Sequence, residues 1–206
     1  MISIQKNIRL LLIIFILICM VYCSKTQERD FFPLNEGMKW EYYVQTTNLL
    51  GQKSEGKLIR HVSGSEIVRG KNYYKISDIY SGLSGQPNSI IYYRKDINGV
   101  YVKEGRFKNR PEQLFIKFPI EVGSSWKVQF PDITGHTEYN CEIERFKTLK
   151  MILKKLKLKN CMKIYREAKD PLGKRKMIEY YAPNIGLVRA IYGWGNVTMI
   201  LELREY

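Results

Sequence analysis

The chain has 206 residues, enough for one well-cored domain or two small ones. Lys and Arg outnumber Asp and Glu by 34 to 20, a balance that favours anionic surfaces or, equally, lysines solvated on outward strand faces. Fifteen tyrosines against two histidines is strand composition, and it argues against histidine-based metal or acid–base chemistry.

Met1–Arg9 carries Lys6 and Arg9, and Leu10–Tyr22 is almost wholly apolar. Cys23, Ser24 and a polar run, Lys25–Asp30, follow. A basic start, an apolar centre and an abrupt polar boundary are the anatomy of a secretory signal. The apolar run is shorter than the roughly 20 residues a spanning helix needs. With Cys at the boundary, the segment resembles a bacterial lipoprotein signal. That resemblance implies a signal over 1–22, removal before Cys23, and acylation of Cys23 as the first mature residue. Tyr22 departs from the small residue such signals carry before the Cys. Ser24 rather than Asp after the Cys implies, by the same resemblance, the outer membrane. The part beyond residue 22 keeps 32 cations against 20 acids, or +12.

Residues 23–30 form a polar tether. Short strand patterns then follow, with turn signals every 8–15 residues, which predicts an all-β domain. Met38–Asn48 alternates Trp40, Tyr42, Val44 and Thr46 on one face. Lys57–Ser63, Tyr73–Tyr80, Ser89–Lys95 and Val100–Glu104 follow, the last two flanking the hairpin signal Asn98-Gly99. Leu114–Phe118, Ser125–Phe130, Thr137–Phe146, Leu158–Glu167, Lys176–Tyr181, Leu187–Tyr192 and Val197–Arg204 complete the series. Leu149–Leu158 (LKMILKKLKL) has two readings. One is a basic amphipathic helix for an anionic membrane. The other, favoured here, is a basic hairpin tip between two strands.

Three motif pairs recur in the same order. F-P-x-x-x-G-x-x-W spans 32–40 and 118–126; K-N-x-x-K-I spans 71–76 and 159–164; Y-Y-x-x-[DN]-I spans 92–97 and 180–185. Collinear pairs at a nearly constant offset predict two tandem units, 31–117 and 118–206, joined as one domain of about 10–12 strands in a curved antiparallel sheet or half-barrel. Pro33 and Pro119 fix φ before a strand, Gly37 and Gly123 permit the tight turn, and Trp40 and Trp126 supply core anchors.

EYYAPNIGLVRAIY (179–192), with KLKNCMKIYRE (157–167) and FPIEVGSSWKV (118–128), resembles a group of uncharacterised bacterial envelope lipoproteins that end in a tyrosine strand, a Pro/Gly turn and a Gly-Leu-Val strand. A broader analogy is to LolA/LolB-like half-barrels, which enclose a lipid under a curved sheet with a helical lid. These resemblances imply fold and address, not an activity.

Cys141 and Cys161 fall in adjacent predicted strands of an exported chain, so a disulfide and a pair of buried thiols are both open readings. No zinc-ligand spacing, P-loop, dinucleotide fingerprint or nucleophile elbow is present, and Ser-x-x-Lys at 54–57 and 124–127 lacks its companion boxes. The expectation is a membrane-anchored, non-enzymatic lipoprotein without cofactor or metal, which binds an apolar ligand or an envelope protein partner and no nucleic acid. The alternative is a surface adhesin that takes anionic glycans or host matrix on a basic face.

Overall fold

The computed structural model describes residues 29–83, 88–105, 110–132, 135–151, 157–170 and 173–206. Residues 1–28, with the signal, Cys23 and most of the tether, lie outside the described residues, as does 152–156 at the centre of the basic segment.

Twelve antiparallel strands run in chain order: β1 (Lys39–Thr47), β2 (Lys53–Val68), β3 (Lys71–Ser81), β4 (Ser89–Asp96), β5 (Gly99–Glu104), β6 (Gln113–Lys117), β7 (Ser125–Asp132), β8 (Gly135–Lys150), β9 (Lys157–Asp170), β10 (Gly173–Ala182), β11 (Gly186–Trp194) and β12 (Val197–Glu205). No α-helix occurs among the described residues. Every strand pairs with its sequence neighbours except at one place. The order is β6-β5-β4-β3-β2-β1-β12-β11-β10-β9-β8-β7, so the first and last strands pair, from Glu41 opposite Glu205 to Thr47 opposite Thr198. β6 and β7 lie side by side without a ladder. The sheet is therefore a nearly closed barrel, interrupted at a single seam. At the flanks of the basic segment, Leu149 and Lys150 pair with Leu158 and Lys157 in the β8–β9 ladder, as the hairpin reading expects of them.

Alternation decides what faces inward. Trp40, Tyr42 and Val44 on β1 are buried at every second position, as are Met162, Ile164, Arg166 and Ala168 on β9. Contacts between strands that are not neighbours then cross the interior. The Tyr42 hydroxyl donates to the Leu187 carbonyl at 2.9 Å, although β12 separates their strands. Phe32 meets Tyr93 of β4, Phe115 of β6 and Tyr181 of β10, with ring centroids 4.9, 5.8 and 6.0 Å away. Phe31, Phe32 and Leu34 are buried, so the segment before β1 plugs one mouth of the barrel. Their burial contributes at most about 5–9 kcal/mol.

Each recurring motif sits on strands six apart. Trp40 and Trp126 are the second residues of β1 and β7; the K-N-x-x-K-I pair opens β3 and β9; the Y-Y pair lies on β4 and β10. Local geometry recurs with them. Gly37 and Gly123 have φ of 82° and 85° and donate to the carbonyls of Val62 and Ile143. Val62 and Ile143 donate back to Met38 and Ser124, and a bulge follows each at 62/64 and 143/145.

The two tryptophans differ in one respect. Trp40 Nε1 donates to the Ile185 carbonyl at 2.7 Å, whereas buried Trp126 Nε1 has no hydrogen-bond partner among the described residues. Trp40→Phe strands a carbonyl and should cost about 1–3 kcal/mol more in urea unfolding than Trp126→Phe, which removes an unsatisfied donor. Equal losses would show that the Trp40 bond carries no weight.

Candidate functional site

The seam is where the barrel opens. A cleft of about 410 Å³ lies there, lined by Ile91, Tyr93 and Val102 from β4 and β5, by Phe130 from β7, and at its rim by Lys103, Glu104, Arg110, Gln113 and Gln129. Its floor continues as a ladder of rings. Tyr93 meets Phe115 at 5.4 Å, Phe115 meets Phe130 at 6.3 Å, and Phe130 meets Tyr139 at 5.7 Å, all edge-on. Such pairs hold geometry as well as apolar area.

Behind this wall lies a buried ion pair. Arg166 is fully buried, and its guanidinium stacks over Phe115 at 4.4 Å. Its Nε donates to Glu179 Oε2 at 3.0 Å, and Nη1 donates to the Phe115 carbonyl at 2.9 Å and to Cys141 Sγ at 3.2 Å. Nη2 has no hydrogen-bond partner among the described residues. Burial pulls the Arg166 pKa down, but the Glu179 charge outweighs it and keeps the guanidinium charged. Glu179 also accepts from the hydroxyls of Tyr181 and Tyr192 at 3.2 and 3.3 Å. Burial pushes the Cys141 thiol up, against the pull of Arg166, so it is a neutral acceptor and not a thiolate. A second, partly buried pair crosses β2 and β3, with Asp78 buried and Arg60 half-buried. Arg60 donates to both oxygens of Asp78, at 2.7 and 2.6 Å.

Outside the seam, Glu112 fixes the start of β6. It accepts from Arg94 at 3.1 and 2.9 Å, from Lys71 at 2.6 Å, and from the Tyr73 hydroxyl. Burial raises its pKa, but these donors prevail and hold it at about 2.

Of the residues singled out from sequence, Trp126 and Cys141 reach the buried ion pair and the other described ones lie elsewhere. Trp40 and Pro33 belong to the plugged mouth, where Pro33 packs 3.4 Å from the position a Cβ on Gly186 would take. Trp126 lies 5.6 Å from the Arg166 guanidinium, while Pro119 is exposed in the turn before β7. Cys141 and Cys161 are both free. The disulfide reading is corrected by register. Cys141 sits opposite Arg166, and Cys161 sits opposite Lys147, five residues further along β9 and on the other face. That separation is about 16 Å along the strand, far beyond disulfide reach.

Tyr93, Phe115, Phe130, Arg166 and Glu179 were not singled out. One signal was present. Arg166 and Glu179 are charges at positions where the alternation of their strands calls for an inward residue. No group of metal-ligating side chains occurs among the described residues.

No protein-family model matches the chain, and no curated protein matches its sequence. Two crystal structures share its fold. One, from Bacteroides fragilis, is assigned as an exported protein with a YmcC-like fold. It is 15% identical, with a TM-score of 0.53, over 86% of this chain and all of that one. The other, from Parabacteroides distasonis, is assigned as a lipoprotein. It is 14% identical, with a TM-score of 0.50, over 85% of this chain and 99% of that one.

Two outcomes follow. Glu112 is depressed below its ordinary value of 4.5, so its stabilisation is present above that value and is lost as pH falls toward about 2. Glu112→Gln should cost about 2–3 kcal/mol at neutral pH and flatten the acid limb of a stability-versus-pH curve below pH ~4.5. An unchanged acid limb would assign that limb to other carboxylates. Intact mass should not change on reduction. Cys141 and Cys161 should resist a thiol reagent until the protein is unfolded.

Proposed function

We propose that the chain is a lipid-anchored protein of the cell envelope, built from two tandem six-strand units, that binds a small apolar or amphipathic ligand in the seam cleft without chemical turnover. One observation carries the binding reading. Among the described residues, the one interruption of the sheet ladder coincides with a cleft whose walls are Ile91, Tyr93, Val102 and Phe130 and whose rim is polar. Preformed apolar clefts with a few polar rim groups are the usual form of small-molecule sites. The N-terminal segment and the exported and lipoprotein assignments of the two structural relatives support the address. The strand-by-strand recurrence of the motifs supports the tandem units. The non-enzymatic part rests on Cys141 being a neutral thiol and on Glu179 being tied to Arg166, Tyr181 and Tyr192.

The address is tested by acylation of Cys23 that globomycin blocks, and by loss of membrane association in Cys23→Ser. Binding is tested by solvent extraction and mass spectrometry of protein purified from its own membranes. An apolar compound should co-purify at near one-to-one ratio, or a fluorescent naphthylamine should bind in its place. Gln113→Trp and Gln129→Trp, which narrow the mouth, should reduce occupancy about tenfold with the unfolding midpoint unchanged. Full occupancy in both variants, or no ligand and no probe binding in the parent, overturns the cleft as a site.

A further inference from the structure

The meander has two ends, and the chain enters at a defined one. The connections β2–β3, β4–β5, β6–β7, β8–β9 and β10–β11 all lie at the end plugged by Phe31–Leu34. Asp30 fixes this entry. Its carbonyl accepts from the Asn184 amide at 2.6 Å in the β10–β11 turn, and its carboxylate takes Lys95 at 2.7 Å from the end of β4. Cys23 is seven residues before Asp30. Even fully extended, that tether spans only about 25 Å. On the lipid-anchored reading proposed above, this end of the barrel stays within about 25 Å of the bilayer.

The same end carries the most one-sided charge in the chain. From Arg145 to Tyr165 there are eight Lys or Arg and no acid, against a net +12 for everything beyond residue 22. Among the described residues of this β8–β9 arm, Arg145, Lys150, Lys157 and Lys159 are exposed. Lys147 lies over the Tyr180 ring at 4.6 Å, and Lys163 is held by Glu144, so neither is presented in the same way. The neighbouring turns add exposed apolar tips: Ile67 at 73% exposure, Ile97 at 88% and Val122 at 59%. The far end also exposes Leu49 and Leu50, but no tether enters there and no acid-free basic run accompanies them.

We infer that the β8–β9 arm is a membrane-docking surface: Arg145, Lys150, Lys157 and Lys159 rest on anionic lipid head groups of the bilayer that holds the anchor, with Ile97 and Val122 at the interface beside them. Charge complementarity and the short tether together select this occupant. An anchor on a tether of at most about 25 Å keeps the arm near the bilayer, and basic residues that come within the roughly 10 Å over which the surface potential acts are drawn to anionic lipid. The docked barrel stands with its strands steep to the membrane, and the seam opens sideways along it.

The test uses the protein purified from its membranes, with the state of Cys23 read by mass spectrometry. It is reconstituted into phosphatidylethanolamine vesicles containing either phosphatidylglycerol or phosphatidylcholine. Lysines are labelled with a membrane-impermeant amine reagent and quantified by peptide mapping. Exposed Lys53 and Lys169, at the opposite end, serve as references. With phosphatidylglycerol, labelling of Lys150, Lys157 and Lys159 relative to those references should fall severalfold, and about 0.5 M salt should restore it. The triple variant Lys150→Glu, Lys157→Glu, Lys159→Glu substitutes only exposed side chains. It should lose orientation on phosphatidylglycerol vesicles, read as equal protection of Lys53 and the arm residue Lys147. Equal arm labelling on the two vesicle types overturns the inference, even where Cys23 is acylated. If Cys23 is unmodified, the lipid-anchored reading fails by itself. Arm protection on phosphatidylglycerol then still supports the docking surface, and its absence overturns it.

Discussion

A twelve-strand meander has two edges, and an exposed edge invites pairing with other chains. Here the chain uses its own ends. β1 and β12 form a ladder over most of their length, so the first and last strands of the domain become interior strands of one sheet. Everything else depends on that closure. It brings the plug segment before β1 against the β10–β11 turn. It lets Tyr42 reach Leu187 and Trp40 reach Ile185, and it sets the interior into which the strands point. Because the two strands are the extremes of the sequence, the ladder forms only when the whole chain is in place. Such long-range pairing is entropically late and slow to form.

A barrel of this size encloses more space than one layer of side chains fills. The chain fills it in three ways. The plug inserts Phe31, Phe32 and Leu34 through one mouth. Tyrosines such as Tyr42, Tyr93, Tyr139 and Tyr181 are buried in that space. Two ion pairs, the partly buried Arg60–Asp78 and the buried Arg166–Glu179, occupy volume that apolar side chains do not. Ion pairs of this kind add little net stability, but losing one partner leaves a charge stranded, at a cost of about 3–5 kcal/mol. They therefore fix which strands oppose each other more than they strengthen the fold. The positions correspond six strands apart, since Trp40 pairs with Arg60 and Trp126 with Cys141. Arg60 faces Asp78 across β2 and β3, and Cys141 faces Arg166 across β8 and β9. In the second pair the acidic partner comes instead from β10, through Glu179.

The fold class was legible because its signals are local. Alternation at Trp40, Tyr42 and Val44, the Asn98-Gly99 turn, and the spaced glycines identify strands and hairpins without knowledge of what lies opposite. The recurrence of F-P-x-x-x-G-x-x-W was legible for the same reason, since Gly37 and Gly123 each serve a turn a few residues long. The candidate site was not legible. Phe115 is one aromatic among many until β6 is known to sit beside β7, and Arg166 reads as one more basic residue in a basic stretch. Register, not spacing, decides between the two readings of Cys141 and Cys161, in favour of buried free thiols. One bulge, between Ile143 and Arg145, separates Cys141 and Lys147, the β8 partners of Arg166 and Cys161, and spacing in sequence does not report it.

The seam follows from a difference between two joints that the meander could have made alike. At β12–β1 the strands are nine residues each and pair from Glu41 to Thr47 with one bulge at Glu41/Tyr42. At β6–β7 the first strand has only five residues, bracketed by Pro111 and Pro119, neither of which offers an amide hydrogen to a ladder. Glu112 then ties the start of β6 to Arg94, Lys71 and Tyr73 on the outer face, drawing that edge toward β3 and β4 and away from β7. With β6 short and held from behind, Phe130 and Gln129 of β7 face a gap instead of a neighbouring strand. The cleft is therefore a consequence of how β6 is held: the residues that shorten and tether it leave an apolar wall open at the side of an otherwise closed barrel.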